Sequence, residues 1–124
     1  MIKRFTFKKD HRGGYVEVII ERKEVEHKVL VDTGDFYNHV QGKAWCIHKA
    51  GTSRGYESFK FYARINEGPR SSRQSKYLHR VVTGAPKGLV PDHGDSNGLN
   101  CRQYNLKLTT QKDNAKRQVH KKRK

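Results

Sequence analysis

The sequence predicts an α+β fold: a small antiparallel sheet region first, then a two-stranded hairpin running into a helix. Three observations predict it. β-branched and aromatic runs with period-two alternation crowd residues 15–65. Two short apolar runs, residues 89–91 and 106–108, flank a loop rich in Gly, Asn and Asp. Thr110, with Asp113 three residues on, resembles a capping box with Asp in place of the usual Glu or Gln, so a helix is expected to begin near Thr110.

Tyr15-Val16-Glu17-Val18-Ile19-Ile20 and His27-Lys28-Val29-Leu30-Val31 read as a β-hairpin around the polar stretch 21–26. Asp32-Thr33-Gly34-Asp35 ends the second run, and Asp35 is placed to cap a short helix over residues 36–40. Residues 44–48 and 58–65 are two further strands. In the second, Phe59, Phe61, Ala63 and Ile65 alternate with Ser58, Lys60, Tyr62 and Arg64, which suits a half-exposed sheet. Residues 67–76 are polar and basic and read as a loop, either disordered or touching phosphate, with any one of its charges simply solvated. Tyr77-Leu78-His79-Arg80-Val81-Val82 fits helix or strand and stops at Thr83-Gly84. Leu89-Val90-Pro91 is a very short strand in which proline is confined to an edge or an end, and Leu106-Lys107-Leu108 is its return. From Lys116 onward the chain is a basic tail.

At 124 residues the length fits one domain. Only 33% of residues are hydrophobic, so the core is small and draws on scattered aromatics, Trp45 among them. No apolar run reaches the roughly 18–20 residues a membrane helix needs. The opening residues lack the apolar centre of a signal peptide. A soluble, cytoplasmic protein is therefore expected. Cys46 and Cys101 have no CxxC partner, and no HxxxH spacing accompanies them, so they read as reduced thiols and no structural zinc is expected.

The net charge is +15, split as +1 over residues 1–35, +8 over 36–91 and +6 over 92–124. Such an excess points to a polyanion, because each neutralised phosphate releases counterions. An anionic membrane is the weaker partner, since no basic amphipathic helix with a Trp/Leu face is present. Nucleic acid is the expected partner. Residues 1–76 then form a β-rich region expected to contact DNA, and residues 118–124 a basic tail.

Asp92-His93 is followed by Asn105 twelve residues after the histidine and Asn114 nine further on. Asp92 offers a hard anionic oxygen and Asn114 a carbonyl oxygen, both suited to Mg²⁺ or Mn²⁺. On a regular strand His93 faces the other way from Asp92, where a neutral imidazole can take a proton from water near neutral pH. Asn105 can orient His93 or pin the loop between the strands. Each residue alone is weak; together they describe a metal-dependent phosphodiesterase. Asp95 adds a second carboxylate that could meet the metal through water.

The stretch from Tyr77 to Arg117 resembles the HNH (ββα-metal) endonucleases of phages and mobile introns, the homing endonuclease type. The matching residues are Leu78-His79-Arg80, Gly84-Ala85-Pro86-Lys87-Gly88, Asp92-His93, Gly98-Leu99, Arg102, Asn105-Leu106 and Asn114. A looser likeness runs through Val31-Asp32, Asp35-Phe36-Tyr37, Trp45 and Tyr62-Ala63. Asn100 and Cys101 depart from the family pattern, where Asp and Asn are common, which puts any structural bond at those positions in doubt.

The resemblance implies an HNH motif over residues 77–117 that binds one divalent ion through Asp92 and Asn114. It makes His93 the general base and Asn105 the orienting residue. His79 is a supporting residue, either packing the hairpin or meeting phosphate. Arg80, Lys87, Arg102, Lys107, Lys116 and Arg117 are the expected DNA contacts. The substrate would be double-stranded DNA, nicked on one strand per site to leave 5′-phosphate and 3′-hydroxyl ends, by a monomer or weak homodimer. The remaining histidines (His11, His27, His39, His48 and His120) read as surface residues. The rival reading is a non-catalytic basic nucleic-acid-binding protein, which explains the charge but leaves the Asp92, His93, Asn105 and Asn114 register as coincidence.

Overall fold

The computed structural model describes residues 2–50, 60–86, 88–94 and 97–110. Most of them are strand, with a few short helical turns, so the α+β expectation leans strongly toward sheet. The helix expected after Thr110 lies outside the described residues; Thr110 itself ends a strand.

Strands β1 (Ile2–Asp10), β2 (Gly13–Arg22) and β3 (Val25–Asp32) form an antiparallel sheet in that order. β2 and β3 are the expected hairpin, but they run longer than the sequence implied. The polar stretch 21–26 pairs almost to its tip, leaving only Lys23 and Glu24 in the turn, at φ 50° and 67°. A two-residue turn of this hand favours Asn-Gly, and Lys-Glu gives no such signal. β1 was not expected, because four basic residues interrupt its apolar positions.

A single helical turn, α1 (Thr33–Asp35), runs on as a π-type turn over Phe36–Val40 and buries Phe36 and Val40. The helical segment was expected, and Asp35 stands at the N-cap position of Phe36–Val40. It does so in helical conformation and without a side-chain capping bond, because the run begins one turn earlier at Thr33 behind Asp32. The Asp32 carboxylate is directed elsewhere, toward Arg102 and the Gln103 amide.

A second sheet has the order β4 (Cys46–Ala50), β5 (Lys60–Glu67), β6 (Gln74–Tyr77). β6 falls within the stretch read as loop: polar side chains hid a strand held by its ladder to β5 and by Ser75 Oγ donating to Asn66 Oδ1 at 2.7 Å. The ambiguous 77–82 segment resolves into the end of β6 and then α2 (Leu78–Thr83), which buries Leu78 and Val82 and ends at Gly84 with φ 61°. β7 (Leu89–His93) and β8 (Leu106–Thr110) pair as an isolated two-stranded hairpin, so Pro91 costs no ladder bond to a further strand.

One apolar core joins these parts. Val16, Val18, Ile20, Val29 and Val31 of the first sheet pack with Phe36, Trp45, Ala63, Ile65, Leu78, Leu99 and Cys101. The backbone ties the hairpin loop to β3: Leu30 N–H donates to Leu99 O at 2.8 Å, and Cys101 N–H to Leu30 O at 2.7 Å. No helix among the described residues is long and apolar enough to cross a membrane.

Candidate active site

The β7–β8 ladder sets Asp92 opposite Lys107 and His93 opposite Leu106. Successive strand residues alternate faces, and the burial follows: Pro91 and His93 are buried, while Asp92 between them is half-buried. The carboxylate therefore lies toward solvent on the face shared with exposed Lys107, and the imidazole turns into the protein.

Asn105 closes the hairpin at its base. It is buried, its Nδ2 donates to Asn100 O at 3.0 Å, and its own carbonyl accepts from Gly94 N–H at 2.8 Å. A Cβ on Gly94 would stand 3.2 Å from Asn105 Oδ1, a tight contact that the side chain would have to yield to. The bonds of Asn105 pin the loop, one of the two tasks the sequence allowed it. Asn100 and Cys101 are integrated as well. Asn100 is buried, with Nδ2 bonded to Tyr104 Oη at 3.1 Å, and Cys101 is fully buried in the core.

Rings wall the inner side of His93. Its imidazole lies 5.2 Å from that of His79 and 6.1 Å from the Tyr62 ring, and Tyr62 and Tyr77 flank His79 at 5.5 and 5.6 Å. Burial foremost, then His93 and Arg80, hold the His79 imidazole down at about 3. His79 is thus neutral at physiological pH, and its buried Nδ1 meets no hydrogen-bonding group among the described residues. A neutral, buried ring packs; it does not meet a phosphate as a cation. In sequence Tyr62 is a polar-side strand position within the looser family likeness, with no role in the site. Half-buried, it is instead the contact through which β5 reaches the site, and Gly98 is the matching signal: a Cβ there would stand 2.8 Å from the Tyr62 ring.

The structure separates the expected DNA contacts. Lys107 is exposed on β8 and Arg80 is half-buried on α2. Arg102 is not a free cation: its side chain is 3% exposed, with Nη1 2.6 Å from Asp10 Oδ2 and Nε 3.0 Å from Asp32 Oδ1. Its guanidinium also lies over the rings of Tyr15 and Tyr104, at 4.2 and 5.0 Å from their centroids. The two carboxylates hold the Arg102 proton more tightly than usual, and Arg102 holds the Asp10 carboxyl at about 2. Sequence could not show this, because Asp10 lies 92 residues away. Lys87, Asp95, Asn114, Lys116, Arg117 and His120 lie outside the described residues. His11 is exposed, and His27, His39 and His48 keep partial exposure at the surface, His27 leaning on Phe61 at 4.5 Å and His48 on Tyr77 at 5.9 Å.

Among the described residues no three or more His, Cys, Asp or Glu gather into a metal-binding group. A site made from one Asp and one Asn amide forms no such group. The donor chemistry fits a hard cation: Asp92, half-buried, offers a carboxylate next in sequence to the buried His93.

The hairpin thus sets an acid and an imidazole at neighbouring positions of one strand, with an asparagine locking the loop, on a strongly basic chain. Residues 76–116, about a third of the chain, match the family model described as HNH endonuclease. The match spans Asp92, His93, Asn105 and Asn114. No curated protein and no solved structure matches the chain.

Proposed function

We propose that the protein is a divalent-metal-dependent DNA endonuclease of the phage or homing type that hydrolyses one phosphodiester bond per active site. The observation that carries this is the placement of Asp92 and His93 on opposite faces of β7, inside the region that matches the HNH family. Asp92 and Asn114 are the residues that would hold Mg²⁺ or Mn²⁺. Such a cation supplies positive charge to the scissile phosphate and the departing oxygen. His93 takes the proton of the attacking water, and the packed rings of His79 and Tyr62 limit its rotation. Asn105 keeps loop and strand in register. Lys107, beside Asp92 on the outer face, and Arg80 meet the phosphate backbone, joined by Lys87, Lys116 and Arg117. Arg102 is left out of that set because its charge is already satisfied inside the protein. Water attacks phosphorus, the bond to the 3′ oxygen breaks, and 5′-phosphate and 3′-hydroxyl ends remain.

Nicking of supercoiled plasmid with Mg²⁺ tests this. The motif occurs once, so open circles should accumulate before linear DNA. His93→Ala should lose on the order of 10²–10⁴ in rate with DNA affinity held within a few-fold. Near-normal turnover of that variant overturns the role of His93. DNA binding without any metal-dependent nicking by the wild type makes the chain a non-catalytic binding protein instead.

A further inference from the structure

We propose that the exposed side of β1 is a base-stacking face, formed by Phe5, Phe7 and Tyr37 with Lys9 beside them, that binds an unpaired DNA strand. The choice of polyanion rests on the nuclease reading; the strand state goes beyond it.

β1 is an edge strand. Residues opposite one another in an antiparallel pair share a face, so Phe5 and Phe7, opposite Val18 and Val16, project on the side that carries the core. Val16 and Val18 are sealed, yet Phe5 and Phe7 are 44% and 49% exposed. Tyr37, 54% exposed, extends the surface, its ring stacked on that of Phe7 with centroids 5.8 Å apart and planes 26° from parallel. Buried Phe36 lies beneath, 4.8 Å from Phe5 and 5.6 Å from Phe7. The three rings are thus braced from inside while their outer surfaces meet water. Exposed aromatics beside basic residues suit stacking of successive bases with phosphates held alongside.

The charge on β1 decides between occupants. The strand carries Lys3, Arg4, Lys8 and Lys9 against Asp10. Pairing it antiparallel with a second copy about Thr6 would set Lys3 against Lys9 and Arg4 against Lys8, a repulsion that protects an edge strand from self-association. A polyanion meets no such obstacle. Lys3, Arg4 and Lys8 are each bonded to a glutamate, whereas Lys9, on the Phe7 side of the strand, forms no ion pair among the described residues. A duplex keeps its base faces stacked on one another and offers the rings nothing; a single strand offers every base.

The test is equilibrium binding of the full chain, in EDTA to prevent hydrolysis, to an oligothymidylate of about 15 nucleotides and to an abasic strand of equal length. The oligothymidylate should bind about tenfold tighter or better. Phe5→Leu, Phe7→Leu and Tyr37→Ala should each erode that preference while abasic affinity stays unchanged and the chain remains folded at the binding temperature, the lost ring packing lowering the melting temperature by only a few degrees. The leucine variants keep an apolar side chain under the fold and remove only the ring. Equal wild-type affinity for the two strands overturns the proposal, as does equal loss on both strands in the variants. A dimer in sedimentation that Phe5→Leu dissociates also overturns it, in favour of a self-interface. Plasmid nicking by the same proteins separates the two readings: preference without nicking removes the nuclease alone, and nicking without preference removes the stacking face alone.

Discussion

Replacing Arg102 by methionine removes the cation that joins the first sheet to the hairpin loop and keeps an apolar stem of similar length. The guanidinium makes three bonds, Nη1 and Nη2 to Asp10 at 2.6 and 3.2 Å and Nε to Asp32 at 3.0 Å, from a side chain only 3% exposed. An exposed pair would contribute about 0–1 kcal/mol, whereas removing one partner of a buried pair costs about 3–5 kcal/mol. The carboxylates retain 33% and 29% exposure, so water relieves part of their isolation. We therefore expect a loss near the lower end, about 3 kcal/mol. In urea at neutral pH, with a slope of about 1.5–2 kcal/mol/M, the midpoint should fall by roughly 1.5–2 M with the slope unchanged. Arg102→Lys should fall between, since an ammonium cannot reproduce the fork. The pH dependence carries a second signature. Asp10 is held at about 2 against an ordinary 3.8, so its contribution is complete above pH 3.8 and is lost as pH falls through 2. That acid-side loss should vanish in Arg102→Met. A midpoint shift corresponding to less than about 1 kcal/mol would refute the argument and class the network with exposed ion pairs.

Gly98→Ala should destabilise by about 1–3 kcal/mol in the same urea assay, because its Cβ would press on the Phe61 carbonyl and the Tyr62 ring; unchanged stability would mean the loop yields freely. His79, held at about 3 in the fold against 6.5 unfolded, should make stability complete above pH 6.5 and steadily lower down to pH 3, by at most about 4–5 kcal/mol. His79→Phe should flatten that slope, which denaturation across pH 3–7 would show. DNA affinity should fall with salt at a log–log slope of about −0.9 per phosphate contacted, and removing residues 119–124 should flatten the slope without moving the cleavage position; a moved position would mean the tail reads sequence.

What was legible in this sequence is local. Period-two alternation exposed β2, β3 and β5, and the short runs around a Gly/Asn-rich loop exposed β7 and β8, because a strand that buries one face writes that face into every second residue. Asp92 and His93 could be set on opposite faces for the same reason. β1 and β6 escaped because their apolar positions are few and their pairing is supplied by neighbours. The Lys23-Glu24 turn escaped because positive φ was adopted by residues that do not advertise it.

Charge shows the division most plainly. The sequence determined the +15 excess that points to a polyanion, since net charge is a property of composition. It could not determine which cations remain available to one. Arg102 and Lys107 stand five residues apart and read alike, yet the fold brings Asp10 and Asp32 onto the first and leaves the second exposed beside Asp92. Desolvation and pairing depend on contacts up to 92 residues apart in the chain, and only the tertiary structure decides those.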